Sequence, residues 1–132
     1  MPVWPNLFIV GAAKAGSTSL YNYLKNIPGI YMSPIKEPNF FAEMTHNNPV
    51  WSTIDDKEKY LRLFHKVRDE KIIGEASVSY LHDLNAPRRI HQRVPDSRII
   101  ICLRDPVERG FSHYLHFKRN GFAIIFSTEY QK

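Results

Sequence analysis

An open parallel α/β sheet flanked by helices is the fold class that the sequence predicts, and three observations predict it. The runs Leu7-Phe8-Ile9-Val10 and Ile99-Ile100-Ile101-Cys102-Leu103 are apolar without alternation, the mark of strands covered on both faces. Segments with apolar residues at helical spacing stand between such runs. Glycine-rich punctuation joins the first run to the first helix, and strand–helix alternation of this kind favours parallel strands with right-handed crossovers. A chain of 132 residues that is 43% hydrophobic suffices for one domain with a core, and it carries no internal repeat and no second domain.

The elements follow in order. Leu7–Val10 reads as a buried strand ending at Gly11. From Thr18, the residues Leu20, Tyr21, Leu24 and Ile27 fall at helical spacing, and Pro28-Gly29 stops the helix. Residues Ile30 to Phe41 are extended, since Pro34 and Pro38 forbid a regular helix. A polar loop from Glu43 to Asp56 leads to a helix capped by Asp55 or Asp56, with Tyr60, Leu61 and Phe64 on one side. A short strand lies within Lys71–Glu75, and Leu84–Val94 forms a helix interrupted early by Pro87. The run from Arg98 to Leu103 is the strongest strand signal and is expected at the centre of the sheet. Asp105 then caps a last helix with Pro106 at its first position and Glu108 at the capping-box spacing, ending near Asn120-Gly121.

The formal charge of +5 suits an anionic ligand or acceptor without specifying one. The densest basic groups, Arg88, Arg89 and Arg93, then Lys118 and Arg119, read as solvated helix faces and not as a nucleic-acid arm. The single cysteine, Cys102, reads as a buried core thiol, so neither a disulfide frame nor a metal site is expected. Leu7–Val10 is too short for a signal h-region or a membrane span, which gives a soluble, cytoplasmic expectation.

Chemistry concentrates where the first strand ends, in Gly11-Ala12-Ala13-Lys14-Ala15-Gly16-Ser17-Thr18. Two glycines between a buried strand and a helix let backbone amides wrap a phosphate, and glycine tolerates the left-handed angles that this requires. Ser17, Thr18 and Ser19 add hydroxyls at the helix start, where the dipole favours negative charge. The loop is P-loop-like, yet Ser17 stands where a Walker A loop has its lysine, and the lysine appears earlier, as Lys14. Farther on, Arg104 follows the strongest strand, at the carboxyl edge of the sheet where α/β folds bind ligands, and its planar fork suits a phosphate monoester. A salt bridge to Asp105 or Glu108 is the plainer use of Arg104. Ser112 lies two helical turns beyond Asp105.

These segments resemble a known family. Val10–Leu20 is similar to the 5′-phosphosulfate loop of sulfotransferases that use 3′-phosphoadenosine 5′-phosphosulfate (PAPS), and Leu103–Tyr114 resembles their 3′-phosphate motif. Lys36-Glu37-Pro38-Asn39-Phe40-Phe41 and Gly74-Glu75-Ala76-Ser77-Val78-Ser79-Tyr80-Leu81 match two further blocks of the heparan-sulfate-type branch. The resemblance runs from about Leu7 to Asn120. It implies that Lys14 contacts the 5′-phosphate or bridging oxygen and that the amides of Ala15, Gly16, Ser17, Thr18 and Ser19 cradle the phosphate. Arg104 and Ser112 would bind the 3′-phosphate, and Glu37 would take the acceptor's proton. Lys36 would pair with Glu37 or with substrate. Transfer to a hydroxyl or amino group of an acceptor, a glycan or a small hydroxyl compound, would then proceed in line without a metal.

Two departures stand out. Ala76 occupies a position where some heparan-type members carry a lysine. The family domain also continues with further strands and a late cofactor loop, whereas residues 121–132 form an atypical tail. Residues 1–132 are thus expected to be the N-terminal part of one sulfotransferase domain, incomplete, with a sheet edge that a partner chain could cover. A non-catalytic nucleotide-binding remnant and a P-loop kinase or nucleotide hydrolase are the alternatives.

Overall fold

Among the described residues four strands form one sheet, in the order β2-β3-β1-β4, with every pair parallel. The structure is a computed structural model that describes residues 1–43 and 53–121. Along the chain run β1 (Leu7–Gly11), α1 (Ser17–Lys25), β2 (Ile30–Met32), α2 (Lys57–Arg62), β3 (Ile72–Ala76), a 3-10 turn (Val78–Leu81), α3 (Ala86–Arg93), β4 (Arg98–Ile101) and α4 (Pro106–Arg119).

The period of two along β1 divides the core. Phe8 and Val10 join Phe41, Tyr60, Leu63, Phe64, Ile73, Tyr80, Ala86 and Ile90 on one face, while Leu7 and Ile9 join Tyr21, Met32 and Ala76 on the other. Every residue of β1 is buried, as its unbroken apolar run requires. The first cluster is largely aromatic: Phe40 stacks on Tyr60 with ring centroids 4.2 Å apart, and Phe41 meets Phe8 edge-on at 5.7 Å.

Several expectations about elements change. The run from Arg98 to Leu103 is not central: β4 is the outer strand, paired only to β1 among the described residues, with Ile99 and Ile101 about half exposed. An apolar run demands cover on both faces, but it does not say which neighbour provides it. The central strands are β1 and β3, and β3 was the weaker signal because glycine and glutamate interrupt it. The extended stretch from Ile30 contains the paired strand β2. Pro87 lies in the first turn of α3, after Asn85 at the N-cap, so it opens that helix instead of interrupting it. Cys102 is half-buried, not fully buried, beside the second core cluster.

Other boundaries agree with the residue chemistry. Asp56 caps α2, accepting from the Lys59 amide at 2.7 Å, and Asp105 caps α4, accepting from the amides of Val107 and Glu108 at 3.0 Å each. Glu108 does not close the box; its carboxylate turns to Arg104. The α3 arginines are less free than a solvated face implies. Arg89 pairs with Glu43 at 2.9 Å and donates to the Phe41 carbonyl at 3.0 Å, and the Arg93 guanidinium lies 4.8 Å from the Trp4 ring centroid. Most of the polar loop expected after Glu43, and the tail after Gly121, lie outside the described residues.

Candidate active site

The β1–α1 loop is shaped by three residues with positive φ: Gly11 at 148°, Lys14 at 60° and Gly16 at 94°. Gly16 occupies the N-cap of α1, no side chain caps that helix, and no acidic residue stands in its first turn. The first-turn amides of a helix have no intrahelical acceptor, so here they carry their partial positive charge toward the loop without a competing carboxylate. A Cβ built on Gly16 meets nothing within 4 Å, which leaves the cradle open, whereas one built on Gly11 would lie 2.8 Å from the Leu81 Cβ. The loop thus fits a phosphate on the chemistry of its own residues.

A cavity of about 240 Å³ opens in front of this loop. Lys14, Ser17 and Thr18 line one side, Lys36, Glu37 and Val78 another, and His113, His116 and Phe117 of α4 a third. The Glu37 amide donates to the Ala76 carbonyl at 2.8 Å, and its Oε2 accepts from the Val78 amide at 2.9 Å. The Lys36 ammonium is paired with Glu37 Oε1. Glu37 and Asn39 both hold positive φ, 65° and 54°, conformations that a non-glycine residue keeps only when its surroundings enforce them.

Arg104 stands at the edge of this arrangement. Its Nε lies 3.4 Å from Glu108 Oε2 and its Nη1 donates to the Lys14 carbonyl at 3.4 Å, so the ion pair expected as its plain use exists beside a contact to the phosphate-type loop. Ser112 is half-buried on α4 and does not line the cavity. Ala15 and Gly16 belong to the same turn as Lys14 and Ser19 to the first turn of α1, and none of the three lines the cavity.

Sequence reasoning missed His113 and His116, although their i, i+3 spacing on a helix places them on one face. Burial first, then the charges of Arg109, His116 and Lys14, lower the His113 pKa, so the imidazole is held toward its neutral form beside the lysine. Reasoning also passed over Glu75, which is fully buried at the end of β3. Its Oε1 accepts from the hydroxyls of Tyr60 at 2.7 Å and Tyr80 at 2.8 Å, and its Oε2 from that of Ser77 at 2.7 Å. Burial pushes its carboxyl up to about 7 although the three hydroxyls pull the other way. The clue in the sequence was a carboxylate set in an otherwise buried strand.

The fold recurs in a solved structure. The crystal structure of a sulfotransferase from Alicyclobacillus acidocaldarius superposes with a TM-score of 0.83 at 43% identity, over 90% of this chain and 52% of that one. The chain belongs to the sulfotransferase family. Among curated relatives, the membrane-associated sulfotransferase kil1 of Dictyostelium discoideum is 33% identical over 113 residues, 86% of this chain and 23% of that protein. Heparan sulfate glucosamine 3-O-sulfotransferase 6 of Homo sapiens is 32% identical over 111 residues, 84% of this chain and 30% of that protein. No family model matches the chain. This sulfotransferase-family chain therefore spans about half of its structural neighbour and less than a third of these two relatives. Among the described residues, no helix is long and apolar enough to cross a membrane.

Proposed function

We propose that this chain builds the donor side of a sulfotransferase site, which takes PAPS and passes its sulfuryl group to a hydroxyl or amino group, with a glycan as the acceptor class. The observation that carries this reading is one cavity on which Lys14, Ser17 and Thr18 of the phosphate-type loop face Lys36 and Glu37. Family membership supports the donor, and the glycan comes from relatives whose names state carbohydrate substrates.

The roles follow from charge. The amides of Ala15 to Ser19 at the uncapped start of α1 hold the 5′-phosphate, and Lys14 stands where negative charge grows as the sulfur–oxygen bond to that phosphate breaks. Glu37 accepts the proton of the acceptor while the acceptor's oxygen or nitrogen bonds to sulfur, and the Val78 amide keeps the carboxylate aimed. 3′-Phosphoadenosine 5′-phosphate departs, with Arg104 and Ser112 as its 3′-phosphate partners. Positioning and charge stabilisation supply the rate, and no group of the protein forms a covalent bond to substrate.

Calorimetry with 3′-phosphoadenosine 5′-phosphate tests the proposal. Wild type should bind, and Lys14→Ala and Arg104→Ala should each weaken binding by roughly tenfold or more, the scale of a lost charge-assisted hydrogen bond. A folded wild type that ignores this nucleotide but binds ATP with magnesium would place the loop among kinases or nucleotide hydrolases instead. Binding without transfer to glycan or small hydroxyl acceptors would limit the chain to nucleotide binding.

A further inference from the structure

The segment that carries Glu37 is held in an unfavourable shape, and its restraints converge on one buried residue. Two relays lead from Glu75. In the first, Ser77 donates its hydroxyl to Glu75 Oε2 and accepts the Asn39 amide at 3.0 Å. In the second, Tyr80 donates to Glu75 Oε1 and accepts the Phe41 amide at 3.2 Å. Asn39 continues the chain of contacts by donating its side-chain amide to the Glu37 carbonyl at 3.0 Å and accepting the Ser79 hydroxyl at 2.6 Å. The left-handed angles at Glu37 and Asn39 are thereby fixed from both ends.

We propose that Glu75 is a positioning residue that, through Ser77 and Tyr80, fixes the backbone from Glu37 to Phe41 and so aims the Glu37 carboxylate into the cavity. This rests on the reading of Glu37 as the proton acceptor. The physical logic is the direction of the hydroxyl protons. A serine or tyrosine hydroxyl has one proton; pointed at a carboxylate, it leaves its oxygen free to accept a backbone amide. Only an acceptor at position 75 orients both hydroxyls this way, and the ionised carboxylate, the form that prevails above about pH 7, has enough lone pairs to take Tyr60 as well. Three donors, all inside the core, are more than a packing role requires. The charged and titratable groups facing Glu75 are Tyr60 from α2, Tyr80 from the 3-10 turn and Glu37 from the connection after β2.

Amide hydrogen exchange on the full chain, without nucleotide, reads the clamp. In Glu75→Gln, the amides of Asn39, Phe41 and Val78, the last bonded to Glu37 itself, should exchange roughly fivefold to tenfold faster, as expected for one weakened hydrogen bond each. Amides of Phe8 and Ile9 in β1 should keep their wild-type rates. Unchanged rates at Val78, or a uniform acceleration that includes β1, would overturn the proposal, the second because it marks a purely structural role. Should Glu75→Gln fail to fold, Ser77→Ala carries the test: it cuts one relay and should still accelerate Val78, and no effect there overturns the idea. In turnover, Glu75→Gln should lower kcat while the KM for the donor stays constant, and it should add nothing to Glu37→Gln; additive losses would contradict the relay. Since exchange needs no donor, a wild type that binds no nucleotide sinks the transferase reading and leaves the clamp to be judged on its amides.

Discussion

Lys14 and Glu37 lie twenty-three positions apart in sequence and line one cavity, and on their proposed roles substitutions there should separate donor binding from chemistry. On the proposed role of Glu37 as proton acceptor, Glu37→Gln should lower kcat by about two to four orders of magnitude, the range for a positioned general base, with nucleotide affinity unchanged in calorimetry. Lys14→Ala should instead weaken nucleotide binding. At this scale the sequence showed a good deal: Lys14, Ser17 and Thr18 were legible because loop, glycine and helix start are local features. His113 and His116 were not, because their relevance depends on where α4 packs. Arg104 was half legible; its ion pair with Glu108 follows from i, i+4 spacing, while its contact to the Lys14 carbonyl spans ninety residues and follows from no local rule.

Two glycines of the same loop should answer differently to alanine. Gly11 has a positive φ and a filled neighbourhood, with Leu81 2.8 Å from the added Cβ. Gly11→Ala therefore combines backbone strain with a clash inside the β1–turn contact and should cost about 2–4 kcal/mol in denaturant unfolding. Gly16 has only the strain, so Gly16→Ala should cost about 1–2 kcal/mol. Equal losses of stability would show that the neighbourhood of Gly11 yields. At the scale of elements, helix starts were read well, since Asp56 and Asp105 cap through their own side chains. Strand order was not: an apolar run reports burial, and β4 carries one while lying at the outer edge of the described sheet.

Glu75 has a consequence for the whole molecule. Its carboxyl is raised to about 7 in the folded chain, above the ordinary 4.5, so between these values the folded state holds a proton that the unfolded state has released. Stability should therefore be fully supported by this group below about pH 4.5 and decline as the pH rises toward 7, by on the order of 3 kcal/mol. Glu75→Gln should flatten that slope in thermal unfolding followed across this window. Asp83, Glu43 and Glu70 have lowered values and act in the opposite sense, but only at and below the ordinary carboxylate range. A wild-type profile that rises from pH 5 to 7, with no difference in the variant, would contradict this account.

By itself the sequence determined the α/β class, the strand–loop–helix that suits a phosphate, and four motifs in an order that the sulfotransferase family shares. Those are properties of nearby residues, since φ preference, capping and periodicity act over a few positions. Only the tertiary structure decided that β1 and β3 form the centre of the sheet, that two histidines of α4 face Lys14, and that a buried carboxylate holds the segment carrying Glu37. Each of these depends on which surfaces meet, and burial couples residues 38 and 39 positions apart with no periodic trace in the chain.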